Sequence, residues 1–265
     1  MGLTQEAAII RPPPDVAMIV ELSRSGAREA LGANLLALYL RGSLVTGDFD
    51  PEVSDVDFFV VTERRLTESE FARLAAMHEG FARLGKRYGD QLEGPYVDRA
   101  AARHFRPGEC HPTIARNEAL LWREHFPNWV FERWTLRASG ITLLGPGPQA
   151  LIEQVTRDEI LTAARANMPR WVEWVNDLDN PDWLLPRSGM TYIVETMCRV
   201  LYTLTTGELV GKAQSVAWAL ESLPGPWRPT VARSQVWRND PTVDLSLAPE
   251  MRAFVLWTAA QSEGR

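Results

Sequence analysis

The feature that most constrains this chain is a pair of short motifs beside two apolar runs. In "LLALYLRGSLVTGDFDPEVSDVDFFVVT", one apolar run ends at Gly42 and Ser43, and a second begins at Asp55 and Asp57. The segment between them is rich in Gly, Asp and Pro, which is typical of a turn-rich loop. We therefore expect two neighbouring strands, with the Gly-Ser pair and both aspartates close together.

The spacing of the two aspartates indicates a cation site. Residues i and i+2 of a strand project to the same face, so Asp55 and Asp57 would present their carboxylates side by side. Mg²⁺ takes one or two protein carboxylates and completes its shell with water and substrate phosphates. Gly42 and Ser43 would then offer close backbone approach, N–H groups and a hydroxyl to those phosphates. Each motif alone is more often a solvated strand start or turn, but their combination is far more specific.

A third acid extends this interpretation. Glu93 lies centrally in "QLEGPYV", which has strand character. Three carboxylates from two strands can hold two Mg²⁺ ions and help to remove a proton from an attacking hydroxyl.

The order of the predicted elements favours two domains. Helices over about 15–31 and 67–88, the second opened by a Thr67 to Glu70 capping box, accompany the strands and predict an N-terminal mixed-sheet domain over 1–148. A Gly/Pro cluster at 145–148 follows one more strand in "GITLLGPGPQ". Beyond it, over 149–265, we expect an all-α bundle with helices near 150–166, 169–179, 190–206, 212–223, 227–238 and 249–261.

Composition excludes several classes of partner. A net charge of −6 and a pI near 5.4, without a Lys/Arg cluster, argue against long nucleic acids and suit a small cationic partner. The two cysteines lack the paired spacing of a zinc site. No apolar stretch reaches the roughly 18 residues of a membrane span, and no heptad seam indicates assembly. We expect a cytoplasmic monomer.

The motifs "GSLVTGDFDPEVSDVDFFVV" resemble the signature of the nucleotidyltransferase superfamily related to DNA polymerase beta. The segments "GITLLGP" and "CRVLYTLTTGELVGKAQSVAWALESLP" are similar to the C-terminal region of the aminoglycoside 3''-(9)-adenylyltransferases. The resemblance implies Mg²⁺-dependent transfer of AMP from ATP to a hydroxyl of a streptomycin- or spectinomycin-type antibiotic, with ATP and Mg²⁺ between the domains and pyrophosphate released. It also implies residue roles: Asp55 and Asp57 for Mg²⁺, Glu93 as catalytic base, Ser43 and Lys212 at the phosphates of ATP, and Arg199 in the interdomain cleft.

The acceptor site departs from the family pattern. In "LLPRSGMTY", Leu185 and Gly189 stand where family members carry acids that grip the antibiotic, and Arg187 lies between them. Asp182 and Trp183 are our candidates to replace them, and Trp122 is preferred over Trp129 and Trp134 for stacking on the acceptor. Three alternatives stay open: the same chemistry on another small molecule, a protein-modifying nucleotidyltransferase, and a nucleotide-binding module without turnover.

Overall fold

The computed structural model describes residues 12–177 and 185–263. Its first part is a mixed β-sheet covered by helices, and its second part is helical, so the predicted fold class is confirmed. Asp182 and Trp183, two of the predicted acceptor contacts, lie outside the described residues.

The sheet sets the geometry of the site. Its spatial order is β5-β4-β3-β2-β1-β6, and the pair β2/β3 is parallel while the other neighbours are antiparallel. In the parallel pair, Asp57 lies opposite Glu93. The strands are β1 Leu35–Leu40, β2 Val56–Thr62, β3 Leu92–Asp98, β4 Cys110–Ile114, β5 Leu121–Glu124 and β6 Ile141–Leu144.

The two faces of the sheet carry separate cores. Val56, Phe58 and Val60 of β2 pack on one face, whereas Phe59 and Val61 pack on the other. Since side chains alternate along a strand, Asp57 shares the face of Phe59 and Val61. The first face is covered by α1 Pro14–Leu31 and α3 Glu68–Arg83, and the second includes α4 Arg99–Arg103 and α5 Trp129–Ser139.

The predicted capping box at the start of α3 is confirmed. Thr67 caps α3 as expected, because its side chain accepts from the Glu70 N–H at 3.3 Å and Glu70 accepts from the Thr67 N–H at 2.8 Å. The strands β4 and β5 and the helix α5 had no counterpart in the sequence prediction.

The second part of the chain packs helices around one apolar core that includes Met168, Met197 and Phe254. The helices are α6 Pro148–Leu151, α7 Arg157–Asn176, α8 Arg187–Thr206, α9 Lys212–Ser222, α10 Arg228–Ser234 and α11 Ala248–Glu263. Within the described residues no helix is long and apolar enough to span a membrane.

One helix prediction was wrong, and the domain boundary stays a prediction. The helices expected at 150–166 and 169–179 are a single α7 that runs through Pro169. Pro169 removes one backbone donor, but burial of Met168 and Val175 on either side keeps the helix continuous. Leu151 and Ile152 pack with the second core of the sheet, although they follow the predicted boundary at 148/149.

Candidate active site

Three predicted acids come together at the start of β2 and β3. Asp57 and Glu93 are opposite residues of the parallel pair, and both project from the face that carries Phe59 and Val97. Asp55 directly precedes β2 and lies close enough to act electrostatically on both Asp57 and Glu93. The i, i+2 spacing and the strand register therefore place all three side chains in one cluster.

A buried arginine and a fourth acid complete this cluster. The Arg41 guanidinium, only 4% exposed, contacts Asp57 Oδ1 through Nη2 at 3.2 Å and Glu132 Oε2 through Nη1 at 2.5 Å. Arg41 directly follows β1, and its backbone N–H donates to the carbonyl of Asp57 at 3.1 Å. Glu132 lies in the first turn of α5. Neither residue was selected from the sequence.

The Gly-Ser pair lies against the same cluster. Gly42 has φ +67°, a conformation that favours glycine, and a Cβ atom at this position would overlap the carboxylate of Asp57. Ser43 begins the short helix α2 Ser43–Thr46. The structure thus brings Gly42, Ser43, Asp55, Asp57 and Glu93 into one site.

The pKa values of Asp57 and Glu93 are raised in this crowded, buried cluster. Burial raises the pKa of Asp57 above its ordinary value, Arg41 opposes this shift, and the charges of Asp55 and Glu93 add to it. Burial also raises the pKa of Glu93, against the opposing charge of Arg41. These directions mean that the Arg41 guanidinium does not fully compensate burial and the neighbouring carboxyl groups.

The donor chemistry of the cluster fits a hard divalent cation. Clustered carboxylates that share a proton can ionise together once a cation lies between them, and carboxylate oxygens are the ligands that Mg²⁺ prefers. Across residues 12–177 and 185–263, no three His, Cys, Asp or Glu side chains already stand in a metal-binding arrangement. The cationic side chain beside Asp57 is the Arg41 guanidinium.

The helical part carries a basic group beside Tyr192. Lys212 begins α9, and its Nζ lies 3.6 Å from Glu195 Oε2 and 5.2 Å from the ring centroid of Tyr192. Glu195, which is 3% exposed, also accepts from Arg238 at 2.6 Å. A Cβ on Gly211 would overlap the Asp48 carboxylate, so the start of α9 touches the loop that follows α2.

Two further α8 residues border the cluster. Tyr192 is within electrostatic range of Glu93, Glu132 and Arg199. Arg199 is half-buried, and its side chain makes no hydrogen bond to the part of the chain that the structure describes. Tyr192 of α8 therefore lies within electrostatic range of the acids of the sheet, and Lys212 of α9 lies beside Tyr192.

The structure separates the three candidate tryptophans. Trp122 stacks on Phe71 of α3 with ring centroids 5.8 Å apart, beneath Arg65 at 4.5 Å, so it lies on the sheet face opposite Asp57. Trp134 lines a surface cavity with Arg137 and Gln149. Trp129 lies next to the acids, because the Arg41 guanidinium is 5.6 Å from its ring centroid. The structure thus does not bring Trp122 to the acid cluster.

Arg187 is sequestered at the start of α8. Its Nη1 contacts Asp240 at 3.1 Å and its Nη2 contacts Asp244 at 2.9 Å. Two acids more than balance its charge, so this arginine does not make the beginning of α8 basic.

Comparison with known proteins agrees with this two-part layout. Residues 25–97 match the family model "Nucleotidyltransferase domain", and residues 150–259 match "Aminoglycoside adenylyltransferase, C-terminal domain". An aminoglycoside (3'') (9) adenylyltransferase of Klebsiella pneumoniae is 23% identical over 258 residues, covering 85% of this chain and 86% of the relative. A spectinomycin 9-adenylyltransferase of Staphylococcus aureus is 23% identical over 210 residues, covering 74% and 75%.

A solved structure shares the fold. The spectinomycin adenyltransferase AAD(9) from Enterococcus faecialis, crystallised with ATP and spectinomycin, superimposes with a TM-score of 0.73 at 14% identity. The match covers 93% of this chain and 99% of that one.

Proposed function

We propose that this chain, which matches the nucleotidyltransferase and aminoglycoside adenylyltransferase C-terminal family models, transfers AMP from ATP to a hydroxyl of an aminoglycoside or aminocyclitol antibiotic. The acceptor would be of the streptomycin or spectinomycin type, pyrophosphate would be released, and resistance to the drug would follow. The observation that carries the proposal is the pairing of Asp57 with Glu93 on one sheet face, within electrostatic range of Tyr192, whose ring centroid lies 5.2 Å from Lys212 Nζ.

In this reaction the acceptor hydroxyl attacks the α-phosphorus of ATP in line with the departing pyrophosphate. Glu93 takes the hydroxyl proton, since a carboxyl whose pKa is raised towards neutrality is well suited to general-base catalysis. Lys212, 42% exposed, binds the phosphates together with Ser43 and the Gly42 backbone, and Arg199 supports the nucleotide from α8. Asp55, Asp57 and Glu93 would hold Mg²⁺, which when bound supplies positive charge to the phosphates.

The charges around the cleft support a cationic acceptor. Four acids surround one buried arginine at the sheet, and Arg187 is neutralised by Asp240 and Asp244. Trp129 is the aromatic side chain that the geometry favours beside the acids. Asp182 and Trp183 stay candidates for acceptor binding, and a monomer stays our expectation.

Pyrophosphate release from MgATP tests the proposal. The purified protein is assayed with streptomycin, spectinomycin, other aminoglycosides and no acceptor, with Asp57→Asn as the blank. Release with one drug class supports the proposal and identifies the acceptor. ATP binding without release on any drug would contradict it and direct attention to another small molecule or to a protein side chain.

The assignment of the base has its own variant. Glu93→Gln should keep ATP binding and lose turnover, whereas Glu79→Gln, on the exposed side of α3, should keep both. Full activity of Glu93→Gln would contradict the assignment.

A further inference from the structure

Arg41 is the member of the acid cluster that the proposed chemistry does not use. Each of its guanidinium nitrogens has a partner: Nε donates to the Phe58 carbonyl at 3.2 Å, Nη2 contacts Asp57 Oδ1 at 3.2 Å, and Nη1 contacts Glu132 Oε2 at 2.5 Å. The ring of Trp129 lies 5.6 Å from the guanidinium carbon. A buried charge with this many fixed partners is held in one position.

This arrangement also fixes the carboxylate of Asp57. Its Oδ1 is engaged by Arg41, and its Oδ2 lies against the Gly42 backbone, where a side chain would overlap it. Asp57 therefore has one oxygen bound to a permanent cation and the other beside the residues proposed to bind phosphate.

Glu132 controls how much of the arginine charge Asp57 experiences. Its carboxylate is 28% exposed and comes from α5, outside the strands that carry the three proposed metal ligands. Because Arg41 is shared between Glu132 and Asp57, it competes less strongly with a cation approaching Asp57 than an arginine paired with Asp57 alone.

We propose that Arg41 is a positioning residue that acts as the permanent cation of the acid cluster and orients Asp57 for the divalent ion, with Glu132 as its anchor and charge balance. This inference rests on the proposed function in one respect, the assignment of Asp55, Asp57 and Glu93 as metal ligands.

The inference predicts that changes at Arg41 and Glu132 move metal affinity in opposite directions. Arg41→Gln removes the competing charge, so the divalent ion binds tighter. Glu132→Gln removes the second anionic partner of Arg41, so the guanidinium interacts more strongly with Asp57 and the divalent ion binds more weakly. Arg41→Lys keeps the charge but cannot contact Phe58, Asp57 and Glu132 together, so affinity should change little while kcat falls.

Mn²⁺ binding to the metal-free full-length protein measures this directly. The spectrum of free Mn²⁺ in electron paramagnetic resonance gives the Kd, and thermal unfolding with and without Mn²⁺ gives an independent measure. We expect Kd to fall about fivefold in Arg41→Gln and to rise about fivefold in Glu132→Gln. The matched controls are Arg83→Gln and Glu79→Gln, whose ion pair at 2.7 Å has side chains 75% and 60% exposed.

Shifts of Arg41→Gln and Glu132→Gln in the same direction would overturn the inference, because loss of packing weakens binding in both. Unchanged affinity in both would overturn it too. If Arg41→Gln does not fold, a higher Kd in Glu132→Gln with a nearly unchanged Kd in Arg41→Lys supports the inference. An unchanged or lower Kd in Glu132→Gln with a strongly changed Kd in Arg41→Lys overturns it.

Failure of the inference can be distinguished from failure of the proposed function. A wild-type protein that binds no Mn²⁺ overturns the inference and the metal assignment together. The pyrophosphate assay then shows whether the proposed adenylyl transfer is overturned as well. Wild-type binding with unmoved variants overturns the role of Arg41 alone.

Discussion

Gly42 combines a backbone requirement with a contact to the active site. Its φ of +67° strains any side chain, and a Cβ would also overlap the Asp57 carboxylate. Gly47 has a similar φ of +82° but open space around its Cα. The two positions therefore separate the cost of conformation from the cost of the contact.

We predict that Gly42→Ala costs more stability than Gly47→Ala and also loses activity. Gly47→Ala should lower the free energy of unfolding by about 1 kcal/mol through backbone strain alone. Gly42→Ala should lose about 2–4 kcal/mol, since Asp57 must move as well. Urea unfolding of both variants gives the comparison, and equal losses with equal activity would contradict it.

His78 provides a pH-dependent prediction away from the site. It is a buried residue of α3, with Nε2 2.8 Å from the Tyr96 hydroxyl, and burial lowers its pKa to about 3. An unfolded histidine takes up a proton below about pH 6.5, whereas the folded protein resists it. Stability from neutral His78 is thus present above pH 6.5 and is lost as the pH falls towards 3.

We therefore expect His78→Gln, which can keep the bond to Tyr96, to flatten the pH dependence of stability. Between pH 6 and 4 the wild type should lose up to about 1.4 kcal/mol per pH unit more than the variant. Comparing the two proteins cancels the contributions of other titrating groups. Parallel curves from urea unfolding would show that His78 takes no part.

Local sequence patterns identified some residues of the candidate site but could not identify residues whose partners are far away in the sequence. Asp55, Asp57 and Ser43 could be selected because strand alternation and the neighbouring Gly-Ser turn are local in sequence. Arg41 adjoins Gly42, but its contacts Phe58 and Glu132 lie 17 and 91 residues away. Charge partners that far apart become visible only when the fold brings them together.

At the scale of elements, the strongly periodic segments were predictable and the short ones were not. The residues of β4 include Pro112, and three of the four β5 residues are exposed, so neither shows clear strand alternation. The helix α5 went unpredicted, and with it the placement of Glu132 and Trp129 beside Arg41. Sequence alone does not tell which face of the sheet a β5 residue occupies, so it could not separate Trp122 from the acid cluster.

The contact between the start of α9 and the loop that follows α2 leads to a prediction for Lys212. The chain has two lysines, Lys86 and Lys212, and Lys86 is exposed on the first part. We expect MgATP to protect Lys212 from acylation by an amine-reactive reagent at least about fivefold, because bound phosphates would cover its ammonium group. Lys86 should react at the same rate with and without nucleotide.

Peptide mass spectrometry reads both lysines in one sample, so Lys86 serves as an internal control. Equal protection of both would indicate a general change of the protein. No protection at either, under conditions where ATP binds, would contradict the placement of Lys212 at the phosphates.

At the scale of the whole molecule, the site depends on contact between the sheet and the helices. Gly211 packs against Asp48, and the Arg170 guanidinium of α7 lies 3.4 Å from the ring centroid of Phe126, before α5. Sites between such units are common, because two surfaces can enclose a ligand while each keeps its own core. The sequence predicts a boundary near the Gly/Pro cluster at 145–148, but it does not predict these contacts.

The charge of the molecule as a whole predicts how salt affects the reaction. The net charge is −6, and the cleft gathers Asp55, Asp57, Glu93 and Glu132 around Arg41. A cationic acceptor such as streptomycin should be attracted, and raising ionic strength from about 0.01 M to 0.15 M shortens the Debye length from about 30 to 8 Å. We expect kcat/KM for the acceptor, at saturating MgATP, to fall about three- to tenfold.

The kcat/KM of Glu132→Gln should depend less steeply on ionic strength than that of Glu79→Gln, which removes the same charge far from the acid cluster. Identical salt dependence in both variants would mean that the acids of the cleft do not attract the acceptor, and would favour a neutral molecule.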